Sequence, residues 1–316
     1  MLRATSRWLA SSVVLLFVVT AATFLLSSLA PGNAAKAILS GQTTSYTQAQ
    51  YQQVRHELGI DKPLPVQYWD WLDRLVHGSL GTDLFSGQPI TAALGGRIGA
   101  SLSIIVGTVL VSAVLGLAVG IFSAVRGGAA GKVVDALSLF GLATPNFWLA
   151  LVLVELLAVK VRLFPAVGYI PFGTDPVQWL RGIVLPVLAL SVGGLAFVAR
   201  QIRDSMSDVL TRDYITALRA HGLPLRSIVF KHALRNAAIP VVTVLGLLFV
   251  ALLGGTVLIE NIFSIPGLGQ QAVTASGSHD LPMIEGIAFY FTLIVIAVNL
   301  LIDVCYRLLN PAVGNP

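Results

Sequence analysis

Charge is what this sequence has least of: Asp, Glu, Lys and Arg make up 11% of its 316 residues, against about 25% in an ordinary soluble domain. So little charge excludes a disordered chain, which needs polarity to stay solvated. A single cysteine, Cys305, excludes a disulfide-stapled secreted module. Metal-ligand spacing is also missing. His56-Glu57-Leu58-Gly59-Ile60 begins like a zinc-protease motif but has Ile60 where the second histidine belongs, and His77, His232 and His279 form no ligand set. There is no Gly-x-Ser-x-Gly element. A phosphate-binding loop is lacking too: in Gly127-Gly128-Ala129-Ala130-Gly131-Lys132-Val133 the first required glycine position holds Arg126, and the lysine is followed by Val133 rather than Ser or Thr. Nothing here supports catalysis.

What is present is hydrophobicity, 55% of residues, with a mean hydropathy of +0.82. A spanning helix needs roughly 20 apolar residues, since the hydrocarbon is about 30 Å thick and each residue rises about 1.5 Å. Six charge-free stretches approach or exceed that: Trp8 to Ala30, Ile98 to Val125, Ala136 to Val154, Gly182 to Ala199, Asn236 to Ile259 and Gly286 to Ile302. The fold class is therefore all-α and integral to the membrane, with six transmembrane helices. The first stretch, after Arg3 and Arg7 and ending at Ser28-Leu29-Ala30, also looks like a signal peptide; its length, beyond the usual apolar region of about 7–15 residues, favours a retained helix. Putting the N-terminus inside places Arg126, Lys132, Arg307 and the group Arg200, Arg203, Arg212, Arg219, Arg226, Lys231 and Arg235 on the cytoplasmic side. The short outer loops keep only Lys160, Arg162 and Arg181. This asymmetry predicts both termini in the cytoplasm of a multi-pass plasma-membrane protein, and it turns the net charge of +5 into a record of orientation with no nucleic-acid partner implied.

Three regions divide the chain: residues 1–30 as the first span, 31–97 as an extracytoplasmic segment between helices 1 and 2, and 98–310 as a core of five spans with a cytoplasmic loop at 200–236. In the outer segment Tyr46 to Leu58 reads as a helix, Pro63, Pro65, Gly78, Gly81 and Gly87 act as breakers over the rest of the segment, and Tyr68, Trp69 and Trp71 suit a membrane interface. The uncharged run from Asn261 to Ser278 contains Pro266, glycines and polar side chains, which predicts a loop or re-entrant segment. Pro145, Pro186 and Pro240 predict helix kinks. Glu155, a little more than one helical turn from Lys160, reads as an interfacial group with a structural role, and Asp303 at i,i+4 from Arg307 as a structural pairing.

In the 200–236 loop, Thr211 is a candidate N-cap, Asp213 puts a carboxylate in the first turn, and Gly222-Leu223-Pro224 is a stop. These bounds predict a short helix over Arg212 to His221, either lying on headgroups or docking into another protein.

The residues Thr216-Ala217-Leu218-Arg219-Ala220-His221-Gly222, then His232-Ala233-Leu234-Arg235-Asn236-Ala237 and Ile239-Pro240-Val241-Val242-Thr243, resemble the cytoplasmic loop of permease subunits of ATP-binding-cassette importers, in the dipeptide, oligopeptide and nickel branch. Leu80-Gly81-Thr82-Asp83 with Pro89-Ile90, Pro145-Asn146-Phe147-Trp148-Leu149, and Glu260 through Gly269 are similar to further blocks of that branch, in the same order. The general importer pattern opens the loop with Glu-Ala-Ala; here it is Thr216-Ala217-Leu218, and Arg235 stands in place of a later proline.

This resemblance implies the type I importer permease fold and a coupling helix that fits a cleft on an ATPase, with Ala217, Arg219, Ala220, His221, Gly222 and Leu223 at the contact. It also implies a second, similar permease chain completing the path, two ATPase domains inside, an extracytoplasmic solute-binding protein, and peptide as cargo. No cofactor belongs to the chain itself, since ATP is used by the partner subunits. The alternatives are a permease of the same branch for nickel or another small organic cargo, a self-contained secondary transporter, and a membrane-embedded enzyme. The secondary transporter is expected to carry mid-span coupling groups and an internal repeat, neither evident here.

Overall fold

The computed structural model describes residues 2–29, 34–42 and 45–309. Ala30 and Asn310, which end the first expected span and the expected core, lie outside the described residues, as does Pro31, which opens the outer segment. In chain order the helices are α1 (Leu2–Leu29), α2 (Ala34–Gln42), α3 (Gln48–Glu57), α4 (Leu64–Val76), α5 (Ile90–Arg126), α6 (Gly128–Ala143), α7 (Asn146–Leu153, prolonged by wide turns over Val154–Lys160), α8 (Pro176–Leu210), α9 (Asp213–Ala220), α10 (Leu225–Ser227, running through wide turns over Ile228–Ala233), α11 (Leu234–Ile262), α12 (Leu268–Ser278) and α13 (Leu281–Leu309). Among the described residues the sole extended pairing is an isolated bridge from Thr82 to Pro89.

Among the described residues five helices are long and apolar enough to cross a membrane, and the region of the sixth expected span is a pair, α6 and α7, bent by 91° at Thr144-Pro145. The observed helices outrun the apolar stretches because packing, not hydropathy, sets their ends. Thus α8 continues past Ala199 to Leu210, with Ile202, Met206 and Val209 buried at helical spacing. The connection between α8 and the helix that includes α10 and α11 is accordingly shorter than 200–236, since helix resumes at Leu225.

Caps explain several starts. Thr47 and Gln50 form a reciprocal box at α3, with Thr47 N–H donating to Gln50 Oε1 (2.8 Å) and Gln50 N–H to Thr47 Oγ1 (3.3 Å). Asp175 accepts from the N–H groups of Val177 (2.9 Å) and Gln178 (3.0 Å), with Pro176 at the first helical position of α8.

By internal contacts the chain falls into two units, Met1–Gly99 with Pro266–Ile296 and Ala100–Ile265 with Ala297–Pro316. The first is built on Trp71, Leu80, Ile90, Leu94, Leu268, Ala275, Met283 and Ile287. Here Pro63 and Pro65 do not break the chain. Pro63 precedes α4 and Pro65 sits in its first turn, where a missing N–H costs nothing. Helix α4 then buries Trp71 and leaves Trp69 70% exposed, so the aromatic cluster is divided between core and surface. Tyr68 stacks on Trp71 with ring centroids 6.0 Å apart, and its hydroxyl lies 2.9 Å from Thr20 Oγ1. Asp280 accepts from Leu84 N–H and Met283 N–H, both at 3.1 Å, and thereby caps α13 while pinning the segment before α5. Burial holds its carboxyl above the ordinary range, against the pull of those two donors.

The second unit is centred on α8, whose Val198, Ile202, Met206 and Val209 pack with Val229, Ala233, Ala237, Val241 and Val244. Glycines let α5 approach it. A Cβ on Gly116 falls 2.7 Å from Val198 Cγ1, and one on Gly120 falls 2.7 Å from the Ala199 carbonyl oxygen. Two glycines four residues apart facing a neighbouring backbone are the usual device for close helix contact where lipid supplies no hydrophobic drive. Glu260 is wholly buried in α11 and accepts from Ser101 Oγ at 2.6 Å. Asp135 and Arg203 pair between α6 and α8. Glu155 and Lys160 meet at 3.6 Å on an exposed surface, whereas the pairing expected of Asp303 and Arg307 is not found among the described residues.

Gly120→Ala is expected to lower the thermal unfolding temperature of the purified protein, because overpacking costs about 1–3 kcal/mol and outweighs the roughly 1 kcal/mol helix-propensity gain. Gly96→Ala, where an added Cβ meets nothing within 4 Å, should leave it unchanged or raise it; equal effects from the two variants refute the close-contact account.

Candidate functional site

The stretch between α8 and α10 is short, and its geometry is closed at each end by the backbone. Thr211 does not cap α9. Its hydroxyl donates to Asp208 O (2.9 Å) and finishes α8, which leaves Arg212 as the capping residue with no side-chain bond. The reason is that α8 reaches Leu210, so Thr211 belongs to the outgoing helix. Asp213 remains in the first turn, where the helix dipole favours a carboxylate. At the other end Gly222 has φ +79°, and its N–H donates to Arg219 O (2.9 Å) while Leu223 N–H donates to Leu218 O (3.3 Å). That bond pair is a Schellman stop, and its left-handed position is where glycine carries no Cβ penalty.

One side chain roots the helix. Ile215 is completely buried, and α9 packs on the wide-turn segment 228–233, where Ile228 and Val229 are buried as well. Asn236 adds a tether, donating to Tyr214 Oη and to His232 O, both at 3.0 Å. Of the expected contact residues, Ala217, Arg219, Ala220, His221 and Gly222 are exposed and Leu223 is half-buried. His221 Nδ1 lies 2.7 Å from Ala217 O, so the ring folds back onto the last turn of its own helix. The result is a rigid knob: a fixed foot, a closed end, and a surface of small residues with one guanidinium. Beside it runs a groove of about 270 Å³ lined by residues including Phe122, Arg126, Leu225 and Phe230.

A second candidate lies at the α6–α7 break. Gly141, Thr144, Pro145 and Asn146 line a cavity of about 480 Å³ with Gly193, Gly194, Phe197 and Gly255. In place of the simple kink expected at Pro145, the helix breaks outright. Backbone freed from its helical partners is tolerated at membrane depth where it lines a cavity.

Residues 116–315 match the family described as the inner membrane component of binding-protein-dependent transport systems, and residues 1–94 match the N-terminal component of such membrane proteins. The chain belongs to this family. It is a permease subunit, and the ATPase of such systems is a separate subunit. Similar curated proteins include a putative peptide transport system permease protein of Brucella abortus (strain 2308), 35% identical over 96% of both chains. Others are the glutathione transport system permease protein GsiC of Pectobacterium atrosepticum, 37% identical over 94% of both chains, and the probable D,D-dipeptide transport system permease protein DdpB of Escherichia coli K12, 35% identical over 93% of this chain and 92% of that one. Among solved structures, a chain of the inward-facing MetNI methionine transporter aligns with TM-score 0.55 at 18% identity, covering 71% of this chain and 99% of that chain. That likeness shows the permease fold.

Two buried carboxylates were not singled out by the sequence as candidate site residues, although Glu260 opens one of the family-like blocks. Glu260 and Glu285 each sit just outside the apolar stretches expected to span, yet both are wholly or almost wholly buried within helices. Their one signal is position: a lone acid directly abutting a long apolar run.

Ile215→Ala should loosen the knob without unfolding the protein, since removing a buried isoleucine costs about 2–5 kcal/mol at a site tethered otherwise by the side-chain hydrogen bond from Asn236 to Tyr214. Limited proteolysis between Leu210 and Leu225 is expected to accelerate at least tenfold, while Tyr214→Phe produces a smaller rise.

Proposed function

We propose that α9 is the coupling helix through which an ATPase subunit drives this permease, and that the pair imports peptides across the plasma membrane. The observation that carries this reading is the exposed, glycine-closed α9, anchored through Ile215 between two long helices. A chain without a phosphate-binding loop takes its energy from a partner, and a rigid protrusion transmits a partner's motion where a flexible loop dissipates it. Ala217, Ala220 and Gly222 allow close approach; Arg219, His221 and Leu223 supply a charge, a polar tip and an apolar edge.

The orientation follows the cation distribution, with both termini and α9 in the cytoplasm and residues 31–97 outside. In this arrangement residues 98–310 form the core, and the cavity at Pro145 and Asn146 belongs to the path. One such chain encloses half of a path, so a second permease completes it, two ATPase domains dock inside, and a solute-binding protein delivers cargo outside. Peptide is preferred over nickel because the names of similar proteins speak of peptides, a dipeptide and glutathione.

The test is co-purification from native membranes and transport in vesicles. The chain is expected to come down with an ATPase, and peptide uptake should require ATP. Recovery of the chain alone, transporting without nucleotide, sinks the reading. Gly222→Val forces a β-branched residue into a left-handed position, and should cut transport at least tenfold while helix content stays the same; full transport by that variant removes α9 from the coupling role.

A further inference from the structure

The first unit contains a cavity of about 370 Å³ that the coupling mechanism does not use. Its wall includes Trp71 of α4 and Glu285 of α13. Both are almost completely buried, at 2% and 1% exposure. Trp71 Nε1 and the two carboxylate oxygens of Glu285 have no hydrogen-bond partner among the described residues. A buried carboxyl without a partner costs several kcal/mol when charged, and still leaves a donor and an acceptor unmet when protonated. The neighbouring indole N–H adds a second unmet donor. Unsatisfied groups of opposite hydrogen-bonding sense on one cavity wall give a ligand that carries both a donor and an acceptor two partners.

The chemistry of the wall selects the ligand. Glu285 asks for a cationic donor and Trp71 asks for an acceptor. A primary ammonium three bonds from a carbonyl oxygen supplies both, as at the amino end of a peptide. The rim narrows the choice further. Lys62 is held by Asp70 at 2.6 Å and His56 by Asp61 at 2.7 Å, whereas Arg74, exposed on the same wall, has no ion pair among the described residues and is left for an anionic group. A short zwitterion with an amine at one end and a carboxylate at the other matches this arrangement, and the volume falls within the ordinary range for small-molecule sites.

We propose that this cavity binds the free amino terminus of a short peptide, with Glu285 accepting from the ammonium, Trp71 Nε1 donating to the first peptide carbonyl, and Arg74 facing the carboxylate. Binding turns the Glu285 side chain into the cavity that it already lines. The choice of peptide as the ligand rests on the cargo proposed above; the recognition of an ammonium rests on the cavity alone.

The experiment is isothermal titration calorimetry on the full-length chain in lipid nanodiscs, without ATPase or binding protein, so its outcome is independent of coupling and transport. The probes are alanyl-alanine and N-acetyl-alanyl-alanine. Saturable binding of the free dipeptide is expected, with at least a tenfold loss on acetylation, a similar loss in Glu285→Gln and a loss of several-fold in Trp71→Phe, which keeps the ring. Equal binding of the two probes, wild-type affinity in Glu285→Gln, or no saturable binding to the wild type overturns the proposal, the last meaning that the cavity holds water. Should Glu285→Gln not fold, as judged by circular dichroism, the acetylation and Trp71→Phe comparisons decide it.

Discussion

Inside a bilayer there is no water to satisfy a peptide group, so every N–H and C=O in the hydrocarbon must find its partner within the protein. The architecture of this permease follows from that constraint. Long helices meet it turn by turn. Where the chain departs from the helix, the departure is covered or lines a cavity: at Thr144-Pro145, the threonine hydroxyl returns a bond to Phe140 O at 2.8 Å. Around residues 263–268, Ile265 N–H reaches Glu260 O at 2.8 Å and Phe263 O accepts from Gly168 N–H at 2.9 Å, with Phe263, Ile265 and Leu268 buried.

The same constraint explains why helix association relies on glycine. Lipid tails are as apolar as leucine, so contact has to come from shape. Gly116 and Gly120 provide it against α8, and Gly286 does so in the other unit, where a Cβ meets Ile90 Cγ2 at 2.6 Å. Polar side chains in such an interior are few and individually consequential. Glu260 is satisfied by Ser101, while Glu285 is a buried carboxylate left without a partner among the described residues, and Trp71 on the same cavity wall shares that condition.

Much of this is legible in the residues. Apolar stretches of spanning length mark the long apolar helices, and the Gly222-Leu223-Pro224 stop locates the end of α9 because a positive φ is a local property that glycine announces. What hydropathy misplaces is the ends. Thr211 looks like a cap only while α8 is thought to stop at Ala199, and Ile202, Met206 and Val209 carry that helix onward by contacts that no local pattern reports. Pro63 and Pro65 look like breakers because their effect depends on position within a helix, and that position is set by Trp71 burying itself among Leu80, Ile90 and Leu94. The buried carboxylates are hidden for a related reason: a charge at the border of an apolar run reads as its boundary until tertiary packing encloses it.

Helix α8 spans 35 residues, about 52 Å at 1.5 Å per residue, while the hydrocarbon it crosses is about 30 Å thick. It therefore overhangs, and its end at Leu210 lies three residues from the start of α9. A beam of that length works as a lever, turning a small tilt at its driven end into a larger displacement at the far one. Pro186, buried within it, removes one backbone donor and so supplies a compliant point along the beam. The beam is thereby divided into two arms, one beginning at the Asp175 cap and the other ending at Leu210 beside α9.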